Sequence, residues 1–170
     1  MNVLILYASH AGATRSCADI LEEKLLRHNS VTKVEVGSPL PSPDGFDAVV
    51  IGSPIRMGSM DKRLKKYIVQ HISLLSSIPT CVFFCCGYPR QFDEYVDTQI
   101  PKELTCSLGV RCFGGELKPE KCRGLDKLVV RIARNGIRGQ DFEESDADHH
   151  ELPEIIPENI EILVKEIEKL

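Results

Sequence analysis

Apolar residues in this chain occur in short uninterrupted runs that alternate with amphipathic stretches. The runs of strand length lie at about residues 2–8, 32–36, 47–53, 80–86 and 110–116. The stretches with helical spacing lie at about residues 13–28, 61–76, 93–106, 124–135 and 157–169. Consecutive apolar positions indicate strands that are covered on both faces. The alternation therefore predicts an α/β protein with five parallel strands and helices on both sides of the sheet.

The first strand leads directly into a loop of small and hydroxyl-bearing residues, Ser9-His10-Ala11-Gly12-Ala13-Thr14. A helix that begins near Ala13 leaves its first backbone N–H groups unpaired. These groups can bind an anion together with the hydroxyls of Ser9 and Thr14, and Gly12 allows the backbone to come close to it. The plain alternative is the polar turn that any α/β protein has after its first strand.

Other phosphate-binding loops are excluded by their spacing. The chain contains neither GxxxxGK[ST] nor GxGxxG, so no nucleoside-triphosphatase loop and no dinucleotide-binding turn is indicated. No Cys is followed by Arg six positions later, which argues against a CxxxxxR phosphatase loop. The first loop also lacks the acidic pair of a receiver domain.

Two segments resemble the flavodoxin family. Residues 9–14 are similar to its [ST]-x-[ST]-G-x-T phosphate loop, with Ala11 where a third hydroxyl is usual. Residues 46–60, FDAVVIGSPIRMGSM, are similar to the third strand and the loop that carries one side of the flavin ring. The resemblance implies bound FMN and a three-layer flavodoxin-like fold, with an extra C-terminal helix and a parallel sheet in the order 2-1-3-4-5. Ligands of such sheets bind where the strand order reverses.

The resemblance places the FMN phosphate at the first loop and the isoalloxazine ring between two later loops. Tyr88 would cover one face of the ring, and the segment around Ile55 to Gly58 the other. The implied cofactor-binding residues are Ser9, His10, Ala11, Gly12, Ala13, Thr14, Ser53, Pro54, Ile55, Arg56, Met57, Gly58, Cys86, Gly87, Tyr88 and Phe92. Simpler interpretations stay open: Tyr88 packed on Pro89, Arg56 as a solvated charge, and Cys86 as a strand end. No side chain is an obvious catalytic acid or base.

Charge is segregated along the chain, although the net charge is only −4. Residues 140–170 hold 11 acidic residues and 2 lysines, a balance of −9, so residues 1–139 carry +5. The basic run RMGSMDKRLKK at residues 56–66 lies beside the expected flavin loop and would steer anions toward it. Its simpler interpretation is the solvated face of a helix that buries Leu64, Tyr67 and Ile68.

Within the flavodoxin family, VVIGSPIRMGSMDKRLKKYIVQH resembles the bacterial protoporphyrinogen dehydrogenases that pass electrons to quinone, and the helix expected at Leu125–Arg134 is also similar. That resemblance implies FMN-dependent oxidation of a small anionic substrate such as a porphyrinogen. Residues 93–103 are acidic where those enzymes are typically basic, and the chain has no Trp. Two other functions stay open: an electron carrier with a redox partner protein, and an interaction module that has lost FMN.

Composition predicts a single domain spanning residues 1–170, with an acidic C-terminal extension from about residue 140. At 170 residues and 42% hydrophobic content, the chain can bury one core. No apolar run approaches the length of a membrane span, and the N-terminus has no signal-peptide pattern. We therefore expect a cytoplasmic protein without an integral membrane segment or a nucleic-acid partner.

The seven cysteines, at positions 17, 81, 85, 86, 106, 112 and 122, form no CxxC pair, so reduced thiols are expected. Cys85 and Cys86 fall at the end of an apolar strand, where a vicinal disulfide is disfavoured because adjacent side chains point to opposite faces. The acidic and histidine cluster at residues 146–151 is expected to be a solvated loop rather than a metal site.

Overall fold

The computed structural model describes residues 1–86, 89–115 and 154–170. Its sheet is formed by β1 (Asn2–Tyr7), β2 (Ser30–Glu35), β3 (Ala48–Pro54), β4 (Thr80–Cys85) and β5 (Val110–Cys112). Every pairing is parallel, and the strand order is β2-β1-β3-β4-β5. The flavodoxin-like order expected from the sequence is confirmed.

Helices cover both faces of the sheet. They are α1 (Ala13–Leu25), α2 (Lys62–Gln70), α3 (Ile72–Ser77), α4 (Phe92–Gln99) and α5 (Pro157–Ile167), with a 3-10 turn at Pro89–Gln91 before α4. Because side chains alternate along a strand, Val3 and Ile5 of β1 join the core under α1 and α5. Leu4 and Leu6 join the opposite core under α2, α3 and α4. This three-layer arrangement explains why the strands are apolar at consecutive positions.

The C-terminal helix α5 belongs to the same core as α1. Ile160, Leu163 and Ile167 are fully buried on its inner face. The ammonium group of Lys24 on α1 lies 2.6 Å from a carboxylate oxygen of Glu161. Part of the acidic C-terminal segment is therefore built into the fold by apolar burial and by pairing with a basic residue.

The helix expected over residues 61–76 is divided in two at His71. The backbone there has φ −115° and ψ 19°, outside the helical range. The His71 N–H is shared between the carbonyl groups of Tyr67 and Ile68. No Gly or Pro marks the break, but it leaves Leu75 of α3 buried against the sheet.

Two other elements end earlier than expected. Helix α4 stops at Gln99 instead of residue 106, because Ile100 precedes Pro101 and adopts an extended backbone. Strand β5 stops at Cys112 instead of residue 116, because Gly114 has a φ of 73° and forms an isolated bridge with Ile155.

Two expectations lie outside the described residues: the helix at 124–135, which contains Leu125–Arg134, and the solvated loop at 146–151. Within the described ranges, every helix is too short or too polar to cross a bilayer.

Candidate functional site

Two loops meet at the point where the strand order reverses. Strand β1 pairs with β2 on one side and with β3 on the other, so the chain proceeds in opposite directions after β1 and β3. The Ala8 N–H donates to the Gly52 carbonyl at 3.0 Å, and the Ile55 N–H donates to the Cys85 carbonyl at 2.8 Å. These bonds continue the ladders to the strand ends, so both loops leave the same edge of the sheet. Crevices at such edges are where doubly wound sheets bind ligands.

The first loop leaves the N-terminus of α1 open. Gly12 is the N-cap residue with a φ of 91°, and no side chain caps the helix among the described residues. The Ser9 hydroxyl accepts a long hydrogen bond, 3.4 Å, from the Arg15 N–H. Thr14 is buried at the start of α1. The accessible anion-binding groups of this loop are therefore the backbone N–H groups and the Ser9 hydroxyl.

The second loop is a tight turn at the end of β3. Arg56 and Ser59 exchange backbone hydrogen bonds of 2.9 and 3.1 Å. The two residues between them, Met57 and Gly58, have φ values of 50° and 75°. Positive φ at both central positions is the geometry of a type I′ turn, which Gly adopts freely and Met does not. The turn holds the Met57 side chain in solvent, 96% exposed, where it can contact a flat apolar ligand.

Three of the residues expected to contact a cofactor also have partners within the protein. Ser53 is fully buried; its hydroxyl accepts from the Asp61 N–H at 2.9 Å and donates to the Pro54 carbonyl at 3.0 Å. Cys86 is only 2% exposed. Phe92 is partly buried and packs edge-on against Phe84, with ring centroids 6.3 Å apart. Their contact with a cofactor stays a prediction.

Gly87 and Tyr88, the expected third side of the site, lie outside the described residues. Ala11 and Gly12 are partly exposed in the first loop, while Ala13 is buried at the start of α1. Pro54 and Ile55 are partly buried at the base of the turn, and Arg56 and Gly58 are exposed on it.

Asp61 connects the two loops and was missed by the sequence analysis. It caps α2 by accepting from the Arg63 N–H at 2.9 Å, and it also accepts from the Arg63 guanidinium at 3.1 and 2.8 Å. Its carboxylate lies 3.6 Å from Nε2 of His10 in the first loop. The hydrogen bonds from Arg63 hold the pKa of Asp61 below its usual value. An Asp just before a helix is a recognisable cap signal, but its contact with His10 depends on the fold.

A cleft of about 290 Å³ lies between these loops. Its lining residues are His10, Pro54, Arg56, Ser59, Met60, Asp61, Lys62 and Arg63. Three permanent cations face a single carboxylate, so the cleft favours anions. The simpler interpretation of the basic run also holds, because α2 buries Leu64, Tyr67 and Ile68 and exposes its basic face. The same exposed face supplies the charge of the cleft.

Comparison with known proteins gives the family of this chain. A family model described as a flavodoxin domain matches residues 4–144. Protoporphyrinogen IX dehydrogenase (quinone) of Escherichia coli strain K12 is 24% identical over 141 residues, which cover 78% of each chain.

Similar folds occur among solved structures. Oxidised Flavodoxin 1 from Bacillus cereus has 17% identity and a TM-score of 0.49, and the match covers 83% of this chain and 100% of that one. A flavoprotein in complex with FMN from Lactobacillus acidophilus has 18% identity and a TM-score of 0.43, with 65% and 92% covered. Because the family model spans residues 4–144 of 170, this chain belongs to the flavodoxin family, as an FMN-binding protein of electron transfer or flavin-dependent oxidoreduction.

Proposed function

We propose that the FMN phosphate binds at the open N-terminus of α1. The donors there are the backbone N–H groups of residues 10–14 and the hydroxyl of Ser9. The donor set suits a phosphate because unpaired N–H groups at a helix start attract anions, and Gly12 leaves the approach free of a Cβ. His10 at the edge of the loop adds a donor whose position is set by Asp61, 3.6 Å away.

The isoalloxazine ring, in this proposal, lies between the turn at Pro54 to Gly58 and the segment at residues 87–92. This placement of the ring is supported by Met57, whose apolar side chain is exposed at the tip of the turn. Bound FMN supplies a two-electron acceptor and donor, and the protein determines its orientation and access. Ser53 and Asp61 contribute by holding the turn in place, since Ser53 bonds both ends of the loop.

The substrate we propose is a small anion, with the porphyrinogen class as the first candidate. The main observation in favour of this substrate is that Arg56, Lys62 and Arg63 line the cleft. Carboxylates of such a substrate would be attracted to that lining. The dehydrogenase named among the relatives acts on a substrate of this class according to its name, which makes it the first compound to test.

The substrate proposal is tested by steady-state kinetics of the FMN-loaded protein. Oxidation of protoporphyrinogen is followed by porphyrin fluorescence with a quinone as electron acceptor. We expect turnover, and we expect Arg56→Glu to raise KM several-fold with a smaller change in kcat, because charge reversal weakens attraction before chemistry begins. Arg27→Glu, remote from the cleft, is the matched control and should leave KM unchanged. Absence of turnover with retained FMN would refute the porphyrinogen substrate.

An electron carrier that docks an acidic redox protein is the second candidate. The same basic face and the exposed Met57 favour it, because charged rims with an apolar centre are typical of transient docking surfaces. A carrier would show electron transfer to a partner that falls steeply with ionic strength and no turnover of small anions.

A single domain over residues 1–170 and a cytoplasmic location are part of this proposal. The six described cysteines carry no disulfide bond, which is the usual state in a reducing compartment. Fractionation of cells with an antibody to the protein tests the location.

A further inference from the structure

Two pairs of cysteine thiols lie on opposite faces of the sheet at the ends of neighbouring strands. The sulfur of Cys85 lies 3.6 Å from that of Cys17 in the core under α1. The sulfur of Cys86 lies 3.7 Å from that of Cys112 in the opposite core. Adjacent strand residues point to opposite faces, so Cys85 and Cys86 cannot share a partner.

The position of the second pair follows from the strand register. Phe84 of β4 is paired with Cys112 of β5, and the Cys86 N–H donates to the Gly114 carbonyl at 3.0 Å. Cys86 and Cys112 therefore lie diagonally across the ladder on one face. Their sulfurs are in contact at 3.7 Å.

The two pairs differ in access to solvent. Cys17 and Cys85 are 0% and 5% exposed. Cys86 is 2% exposed, but its partner Cys112 is only partly buried. The second pair thus combines one partly exposed cysteine with one buried cysteine whose sulfur is in contact with it, which is the arrangement of an attacking and a resolving cysteine.

We propose that Cys112 and Cys86 form a thiol–disulfide exchange site that reacts with small disulfides and closes into a reversible intramolecular disulfide. The inference does not depend on FMN. It assigns Cys112 as the attacking residue and Cys86 as the resolving residue.

The electrostatic surroundings favour the same assignment. Hydrogen bonds from the Cys86 thiol and from the Gly114 N–H lower the pKa of Cys112 to about 7. Burial and the contact with Cys17 raise the pKa of Cys85 well above its usual value. Burial also raises the pKa of Cys106, which is partly exposed like Cys112, to about 11. Only a thiolate attacks a disulfide, so Cys112 is the reactive member of this set.

The exchange balances in two steps. The Cys112 thiolate attacks one sulfur of a small disulfide RSSR, which forms an S–S bond to Cys112 and releases RS⁻. Cys86 then loses its proton and attacks the Cys112 sulfur, which forms the Cys86–Cys112 bond and releases a second RS⁻. The protein dithiol loses two electrons, and RSSR becomes two RSH by taking up the protons of the two cysteines. The sulfurs must approach from 3.7 Å to about 2.0 Å.

The first experiment measures alkylation rates of the reduced wild-type chain at pH 7.5 by peptide mass spectrometry. Cys106 serves as the internal control because its exposure class matches that of Cys112. At this pH a much larger fraction of Cys112 than of Cys106 is thiolate. A thiolate of lower pKa is also a weaker nucleophile, which offsets part of that advantage. We therefore expect Cys112 to react roughly tenfold to a hundredfold faster than Cys106. Equal rates would overturn the proposal without any need for a variant to fold.

The second experiment treats the full chain with glutathione disulfide and maps the products. We expect a Cys86–Cys112 linkage with a mass loss of two hydrogens, reversed by dithiothreitol. Cys86→Ser should stop at a glutathione adduct on Cys112, and Cys112→Ser should give neither product. Cys17→Ser and Cys122→Ser are matched controls that should still form the linkage. A linkage that uses Cys122, or a glutathione adduct on Cys112 that persists in wild type, would overturn the assignment.

Discussion

Replacing Asp61 by alanine tests the residue that joins the two loops of the cleft. The carboxylate side chain is only 6% exposed and accepts the Arg63 N–H at 2.9 Å as the cap of α2. Alanine removes the cap, the pairing with the Arg63 guanidinium, and the contact with His10. We therefore expect a loss of stability together with a change in anion affinity.

The size of the stability loss follows from these contacts. Removal of an N-cap side chain costs about 1 kcal/mol. The ion pair adds little, because the Arg63 side chain is 54% exposed and solvent-exposed pairs contribute about 0.2–1 kcal/mol. The total is about 1–2 kcal/mol, which for a domain of this size corresponds to a fall in Tm of roughly 2–8 °C.

The assay is thermal unfolding followed by circular dichroism, with two further variants. Asp61→Asn keeps a side-chain acceptor for the Arg63 N–H, so we expect less than half of the alanine effect. Asp97→Asn, an exposed residue on α4, controls for the loss of one negative charge and should leave Tm unchanged. Equal Tm values for Asp61→Ala and the wild type would refute the role of Asp61 as a stabilising cap.

The same variants report on anion binding and on pH. Among the described residues that line the cleft, Asp61 is the one carboxylate, so Asp61→Asn should bind FMN more tightly than the wild type, whereas Asp97→Asn should not. The folded pKa of Asp61 lies below its usual value, so its charge stabilises the fold fully at neutral pH. That contribution is lost as the pH falls below about 4 and through the folded pKa. The gap in stability between wild type and Asp61→Asn should therefore shrink as the pH falls below the usual Asp pKa of about 3.9.

Two further substitutions test packing around the site. Tyr67→Phe removes the donor to the Pro41 carbonyl at 2.8 Å and should cost about 1 kcal/mol in urea unfolding at pH 7. Burial raises the pKa of Tyr67 to about 12, above the usual Tyr value of about 10, so this cost should shrink as the pH rises through about 10, where the tyrosine of the unfolded chain ionises first. Gly114→Ala places a Cβ 2.0 Å from the Glu154 carbonyl oxygen at a φ of 73°, so we expect a loss of roughly 2 kcal/mol or more. If Gly114→Ala unfolds at the same urea concentration as the wild type, the close contact between Gly114 and Glu154 is not needed for stability.

The strands could be predicted because burial on both faces leaves a signal at every position, whereas their order was implied by the resemblance to the flavodoxin family. Leu4 and Leu6 face one core while Val3 and Ile5 face the other, so apolarity is continuous in the sequence itself. The end of α4 at Gln99 was predicted seven residues too late, although Pro101 disfavours a helical conformation at the residue before it. The break at His71 was not predicted, because it arises where α3 turns to bury Leu75, without Gly or Pro.

The sequence located the candidate site by its loops, but it did not predict which residues contact one another there. The helix start near Ala13 and the loop around Ile55 to Gly58 follow from local sequence, whereas the positive φ of Met57 does not. The contact between His10 and Asp61 joins residues 51 positions apart, and it exists only because β1 and β3 are neighbours. The backbone partners of the Ser53 hydroxyl likewise depend on how the loop folds.

The central claim is that the start of α1 binds the phosphate of FMN. Its most direct test is the affinity of the purified protein for FMN and for riboflavin, which lacks the phosphate, measured by quenching of flavin fluorescence. Hydrogen bonds to a charged group contribute about 1.5–3 kcal/mol each, so FMN should bind at least tenfold more tightly, and Ser9→Ala should reduce that preference. Equal affinity for the two flavins, or no binding of either, would contradict the account.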